Sequence, residues 1–562
     1  MMKIFTRAAG GRLFVAARAA LLLAFAGLAA APTASAQTRK ELGRMWTFEN
    51  APLGWFQQAY DWQPTEKWLE HARMSALRLG RMAEGTSEPS YFCSASYVSP
   101  HGLIMTNHHC ARDFVAQVQG DNDWQTNGFY AGAYENEIKI PGARVSQLIE
   151  QRDVTKEVKE GGQEAVLAKA REAKPELEHQ VIALYQGGMY QLYSHRIFDD
   201  LRLVCVPHGQ SAHFGGDPDN FCYPRWGLDF AFLRAYQDGR PVDSKEFCFE
   251  WKTKGAAEND PVFVIGNPGS TGRLKTHAQC EFDRDNLLPR VVTRYENQLK
   301  EMNAAADTEE KRKEMLPQIL RAENGRKALQ GYLDGLRDER IMEIKAKAEA
   351  DMRAEIAKKP ELQEKYGDVW DRIAAIQTAR MEAMESRDRA ALQKLQIEEN
   401  ELNVKVGEAC FAVYGTKIPP DATMSLRISD GVVKGYEYNG TKAPHYTTLY
   451  GLFARFHEFG GDHPFDIPKA WLDKEKELDL STPFNFVATC DIIGGNSGSP
   501  MIDKDQNVVG LIFDGNIEML GNRYIFDDEV SRTVSVHTAI IIESLRKIYG
   551  AGALADELER KK

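Results

Sequence analysis

Residues 90–280 alternate short β-branched and aromatic runs with Gly, Pro and Asp clusters, as in "SYFCSASYVSPHGLIMTNHHC", "LRLVCVP", "DFAFLRAY" and "DPVFVIGNPGSTG". That pattern predicts antiparallel strands joined by tight turns. Within it, residues 160–200 look helical and predict a small insertion. From about 285 to 410 the spacing becomes helical throughout, rich in Glu, Lys, Arg, Ala, Leu and Met, as in "DERIMEIKAKAEADMRAEIAKK". Most charges there read as a solvated helical face, on a segment long enough for two to four helices. After Cys410 strands return in "MSLRISDGVVKGYEY", "FNFVATCDIIGG" and "VVGLIFDG". The simplest organisation is an α+β chain, a first β part (37–284), a helical insertion (285–410) and a second β part (411–562), with no internal repeat or low-complexity tract.

The first 36 residues change the picture of where this chain works. They carry Lys3, Arg7, Arg12 and Arg18 without an acid, then an apolar run from Ala19 to Ala31, then Ala34-Ser35-Ala36. A basic start, a short apolar core and a small-x-small site predict a cleaved signal peptide over 1–36 and a periplasmic or secreted mature chain from Gln37. The apolar run is short of the roughly 20 residues a spanning helix needs, and no later stretch is apolar enough, so no membrane span is expected. The formal net charge is −11 and becomes −15 once those four cations leave, which argues against nucleic acid as a partner.

All eight cysteines (93, 110, 205, 222, 248, 280, 410 and 490) fall in the exported part. An even number in an oxidising compartment predicts up to four disulfides, whose pairing sequence alone does not fix. Cys93 with Cys110 and Cys205 with Cys222 share one short spacing, which makes them the two expected bridges.

Candidate chemistry centres on "GGNSGSP", residues 494–500. A serine hydroxyl becomes a useful nucleophile when an imidazole takes its proton and a carboxylate fixes the imidazole's tautomer. "LIMTNHHCA" delivers His108 and His109 to the end of an apolar strand. A metal site and a structural histidine are the competing readings, but three adjacent ligands rarely converge on one ion, and no second cluster with ligand spacing appears. No metal or cofactor is therefore expected. In "YPRWGLDFAFLRAY", Asp229 stands at the mouth of a strand, where it reads either as a turn cap or as the orienting acid; the chain order His, Asp, Ser favours the second. The N–H groups of Gly495 and Ser497 can face one oxygen if Gly495 takes a conformation open to glycine, forming an oxyanion hole.

"TNHHC" and "GGNSGSP" together resemble chymotrypsin-like serine peptidases, and within them the bacterial dipeptidyl-peptidase seven and eleven family. "LRLVCVPHGQSAHFGGDPDNFCYPRWGLDFAFLRAY", "FVIGNPGSTGR", "PPDATMSLRISDGVVKGY", "GNSGSPMIDKDQNVVGLIFDGNIE" and "SRTVSVHTAIIIESLRKIYGAGALADEL" extend the resemblance over most of 90–290 and 415–555. It implies a chymotrypsin-like double β-barrel with an inserted α-helical lid, with His109 as base, Asp229 as orienting acid and Ser497 as nucleophile. It further implies that Asn220, Asp514 and Asn324 receive the substrate's free α-amino group; loop capping is the plainer role for Asn220 and Asp514. The residue after that Asp lies in the S1 pocket of the family, where Arg accompanies acidic P1 residues. Here it is Gly515, which implies bulky hydrophobic P1 residues, while a tight turn is its plainer role. Family members often pair as dimers.

This sequence departs from the family in three places. Its helical region is shorter than in familiar members, Ala328 replaces an Asn of the pattern, and Phe221 stands where Trp is usual. An incomplete lid would admit longer peptides, so the expected serine dipeptidyl-peptidase competes with an open-cleft endopeptidase. A non-catalytic peptide-binding protein is the third reading.

Overall fold

The computed structural model describes residues 39–82, 85 and 88–561. The expected signal peptide lies outside the described residues. Among the described residues, no helix is long and apolar enough to cross a membrane.

Two large, mainly antiparallel sheets carry most of the β residues, and Tyr436–Tyr438 with Thr441–Ala443 form a small two-stranded one. The first orders its strands Phe129–Tyr130, Asp200–Val206, Ala231–Gln237, Leu103–Thr106, Pro89–Tyr97, Ala76–Met82, Ala143–Asp153, Met189–Phe198 and Glu178–Leu184. The second runs Arg427–Val432, Pro261–Gly266, Pro500–Ile502, Asn507–Gly515, Thr533–His537, Pro483–Ala488 and Tyr446–Thr448. Both are open paths of pairing, so the closed barrels implied by the resemblance are not what the strand ladders describe. Strand Leu103–Thr106 is buried along its whole length and lies between two partners, which explains its uninterrupted apolar run.

The helical segment leaves from one strand of the second sheet and returns into its neighbour. Pro261–Gly266 and Arg427–Val432 pair antiparallel, Val262 opposite Gly431, and every residue between them loops out and back. Helices there begin at His277–Phe282 and end with Arg389–Tyr414. Local caps set the bounds of the long ones. Thr308 accepts from Lys311 N to start Glu309–Arg337, and Asp338 accepts from Arg340 N to start Glu339–Ala357. Trp370, Ile373 and Leu402 form a small core within the segment.

Two expectations fail here. The helical insertion expected over 160–200 contains the helix Gln163–Ala173 and the end of Thr155–Gly161, but Glu178–Leu184 and Met189–Phe198 are paired strands. The charged helical spacing ends near Lys174, and "EHQVIAL" sets three polar residues before four apolar ones, so no period-two pattern announces the strand that its pairing of Val181 with Leu192 establishes. The second correction concerns sulfur. Cys93 and Cys110 are bridged, with Cα atoms 6.3 Å apart, whereas Cys205 and Cys222 are both free. Cys93 and Cys110 flank a hairpin whose register sets Ser96 opposite Met105, so the two cysteines come back face to face. Cys205 instead sits opposite Phe232 in a ladder, fully buried, and the chain after it wanders away before reaching Cys222. Equal spacing did not mean equal geometry.

The two sheets meet along the strand Pro89–Tyr97. Ser94 N donates to Ser497 O at 2.8 Å, Ser94 Oγ donates to Gly495 O at 2.9 Å, and Asn267 N donates to Ser94 Oγ at 2.8 Å. One buried core, including Met105, Phe230, Phe263, Val487 and Leu511, spans the junction. "GGNSGSP" is thereby held rigidly at the seam.

Candidate active site

Of the two adjacent histidines, geometry separates one. Helix His108–Val118 starts at the end of strand Leu103–Thr106, so both rings enter at its first turn. His109 Nδ1 lies 2.6 Å from Asp229 Oδ2, and its backbone N–H donates to Asp229 Oδ1 at 3.0 Å. Asn107 Nδ2 donates to Asp229 O at 2.8 Å, which fixes the acid's backbone as well. Burial alone would push the Asp229 carboxyl up, but the His109 charge and hydrogen bonds outweigh it and hold the group below its ordinary value. His108 is buried, its Nε2 has no partner, and burial pushes its pKa down to about 4. It is a neutral core histidine.

The serine loop leaves two backbone donors free. Asn496 N donates to Ile493 O and Gly498 N to Ile512 O, but among the described residues no acceptor takes Gly495 N or Ser497 N. Gly495 has φ +103°, and a Cβ there would stand 2.6 Å from Asn267 O. Gly498 has φ +88°, and a Cβ there would meet Ser94 O at 1.9 Å. Both positions need glycine.

A cavity of about 800 Å³ is lined by His109, Asp229, Gly495, Ser497 and the remaining predicted residues Asn220, Asn324, Asp514 and Gly515. Asn220 Nδ2 donates to Asn324 Oδ1 at 3.1 Å, which joins the first β part to helix Glu309–Arg337 across the cavity. Further along that helix Arg321 pairs with Asp113 at 2.6 Å, Arg326 with Asp217 at 3.2 Å and Lys313 with Asp123 at 2.7 Å. The shortened helical region does reach over the cleft. Phe221 has φ +53° and packs with Ala328 and Tyr332 against Met519 and Leu520, so Ala328 serves an apolar contact.

Arg225 escaped the sequence reading. Its Nη1 lies 2.8 Å from Asp514 Oδ2, both side chains almost fully buried, and it also donates to Asp219 O. Asp514 Oδ2 accepts from Phe221 N at 3.0 Å, and Asp514 Oδ1 accepts from Gly515 N at 2.9 Å. Burial raises the Asp514 carboxyl despite these partners. The signal was present in "YPRWGLD", but nothing in the sequence joins that Arg to an Asp 289 positions later.

The cleft-forming segments fall inside one family match. The Peptidase S46 profile matches residues 41–403 and 380–560. The chain belongs to the Peptidase S46 family. It is therefore a peptidase, a hydrolase. Among curated relatives, the S46 chain is 24% identical to an Asp/Glu-specific dipeptidyl-peptidase of Shewanella putrefaciens, over 83% of this chain and 91% of the relative. It is 23% identical to dipeptidyl-peptidase 7 of Phocaeicola vulgatus, over 83% and 90%. Among solved structures it resembles Porphyromonas endodontalis DPP11 in complex with the dipeptide Arg-Glu, at TM-score 0.76 and 18% identity, covering 92% of this chain and 99% of that one. The mixed helix-and-sheet fold of this S46 peptidase is thus shared with DPP11.

Proposed function

We propose that this S46 peptidase is an exported serine dipeptidyl-peptidase that releases dipeptides from free amino termini. Ser497 Oγ attacks the carbonyl of the second residue, and His109 takes the hydroxyl proton. Asp229 holds the ring's tautomer and stabilises the imidazolium without accepting its proton. Gly495 N–H and Ser497 N–H bind the oxyanion. His109 then protonates the leaving amine, and water releases the dipeptide from the acyl-enzyme by the same steps in reverse. The two sheets would correspond to the two halves of a chymotrypsin-like fold, with His109 and Asp229 on the first and Ser497 on the second. The basic, apolar and small-residue pattern of 1–36 supports a periplasmic or secreted setting.

The observation that carries this reading is the His109–Asp229 pair sharing one cavity with Ser497 and with Asn324 of the overlying helix. A helix across the cleft favours a substrate that ends there, and Asn220, Asn324 and Asp514 offer oxygens to its ammonium. Relatives named dipeptidyl-peptidase support the same activity. The relatives named Asp/Glu-specific do not support an apolar P1 preference in this chain. What supports it is Gly515 itself, beside Phe513, Ile512 and Met519 in the cavity lining.

The decisive experiment compares one peptide with a free and with an acetylated amino terminus. Dipeptide release from the free form alone is expected. Cleavage of both at similar rates would make the enzyme an endopeptidase.

A further inference from the structure

The cavity wall between helix His108–Val118 and helix Glu309–Arg337 has a charge that the triad and the anchor leave unused. Among the described residues three carboxylates line the cavity, and each is engaged: Asp229 by His109, Asp514 by Arg225 and Asp113 by Arg321. Arg112 also lines it, makes no hydrogen bond or ion pair among the described residues, and has a buried Nε without a partner. Burial presses its pKa down, Asp113 and Asp229, both engaged elsewhere, raise it too little to offset that, and the Arg321 charge adds to the fall. His213 lines the same wall with its Nε2 buried and unpartnered, and burial pushes it down to about 3, so the ring is neutral. A half-buried cation with no carboxylate bonded to it is costly, and a carboxylate can meet a guanidinium through two parallel hydrogen bonds.

Position says which part of a substrate comes here. Arg112 follows His109 by three residues on one helix, so the two side chains are neighbours along it. Arg321, which holds the adjacent Asp113, precedes Asn324 by one turn on the facing helix, and Asn324 touches Asn220. Arg112 therefore neighbours the general base in the cavity lining, on a helix tied through Asp113 and Arg321 to the helix that carries Asn324 of the amino-terminal anchor. Resting on the dipeptidyl reading above, the substrate's first residue has its ammonium at that anchor, and its side chain leaves from the next atom.

We infer that Arg112, with His213 beside it, forms a carboxylate-selective subsite for the side chain of the substrate's amino-terminal residue, favouring Glu or Asp there and disfavouring Arg or Lys.

The test measures kcat/KM on free-amine dipeptidyl reporters with Leu at the second position and Glu, Gln or Arg at the first. A fourth reporter peptide carries Leu first and an acidic residue just after the cut. Wild type is expected to prefer Glu over Arg at the first position at least tenfold, a readout that needs no variant. Arg112→Gln should lower that Glu-to-Arg ratio at least tenfold, and Arg112→Lys should restore part of it. A wild-type preference for Arg, or a ratio unmoved in Arg112→Gln, would overturn the inference. So would an Arg112 effect confined to the acid after the cut, which would move the subsite to the leaving side. Amino-acetylated versions of the same reporters separate the two levels: if they are cleaved equally well, the dipeptidyl reading falls and this one with it.

Discussion

Arg225 and Asp514 form a buried ion pair in the cavity wall, 2.8 Å apart, with side chains 3% and 5% exposed. Removing one member strands the other's charge in a dry site, at a cost of about 3–5 kcal/mol, whereas removing both is much less costly. Arg225→Ala and Asp514→Ala should each lower the urea midpoint strongly. The double variant should be more stable than the sum of the single losses allows, by about 1–3 kcal/mol of coupling. Additive losses would show that the pair does not act as a unit. On substrates, Asp514→Ala should weaken free-amine peptides far more than acetylated ones, and equal weakening would remove Asp514 from the anchor.

The catalytic assignment has its own signature. Ser497→Ala and His109→Ala should each abolish nearly all turnover while the folded state persists in circular dichroism. Asp229→Asn should cost about 10⁴-fold in kcat, because the amide holds the wrong tautomer of His109. A Ser497→Ala enzyme with wild-type turnover would end the serine mechanism.

The meeting of the cleft residues in one cavity was easier to read from the sequence than the scaffold that brings them there. His109, Asp229 and Ser497 were legible because each stands in a motif whose local backbone is short and stiff, a strand end or a glycine-rich turn. Features that depend on long-range pairing were not. The free state of Cys205 follows from its ladder with Phe232, and Arg225 owes its role to an Asp in another sheet. The strands over 178–198 were hidden because their polar and apolar residues come in blocks, without the period-two pattern that marks a strand. Open sheet paths rather than closed barrels are likewise a property of register, which motif spacing does not carry.

Buried neutral histidines predict an acid-sensitive fold. Burial holds His108 and His537 at about 4 against an ordinary 6.5, and both are almost fully enclosed. Their folded forms resist a proton that the unfolded chain accepts once pH falls below about 6.5, so stability is intact above that and drains away down to about 4. The slope approaches about 1.4 kcal/mol per pH unit for each such histidine within the window. Urea midpoints at pH 7, 6 and 5 should fall progressively, and His108→Gln should flatten the slope. A midpoint constant from pH 7 to 5 would refute it.

Cys93–Cys110 closes a loop of 17 residues in sequence separation and braces the turn that carries His109. Such a bridge contributes about 3 kcal/mol in the chain-entropy picture. Alkylation in denaturant should label six cysteines before reduction and eight after it, matching the six free thiols and the one bridge. Cys93→Ser/Cys110→Ser should unfold at lower urea and lose part of its activity. Four labelled thiols before reduction would reveal a second bridge.

Gly515 sets the last expectation, the choice of side chain beside the cut. It follows Asp514 on strand Asn507–Gly515 and lines the cavity with Phe513 and Met519. A Cβ at this position would come within 2.4 Å of Met519 Cε, the mobile end of a flexible side chain. Met519 therefore occupies the space into which a larger residue 515 would grow, and it presents an apolar, adaptable wall. An acidic P1 side chain would meet no counter-ion from this position, while a Leu or Phe side chain gains about 25 cal/mol for each Å² it buries. Wild type should thus favour Leu or Phe over Asp or Glu in kcat/KM. Gly515→Arg should displace Met519 and turn the preference towards Asp and Glu, because a guanidinium pairs with a carboxylate through two hydrogen bonds. Gly515→Met keeps the pocket apolar and should show no such turn, which separates charge from crowding. Strong acidic preference in the wild-type enzyme would mean that another cation, not residue 515, governs P1.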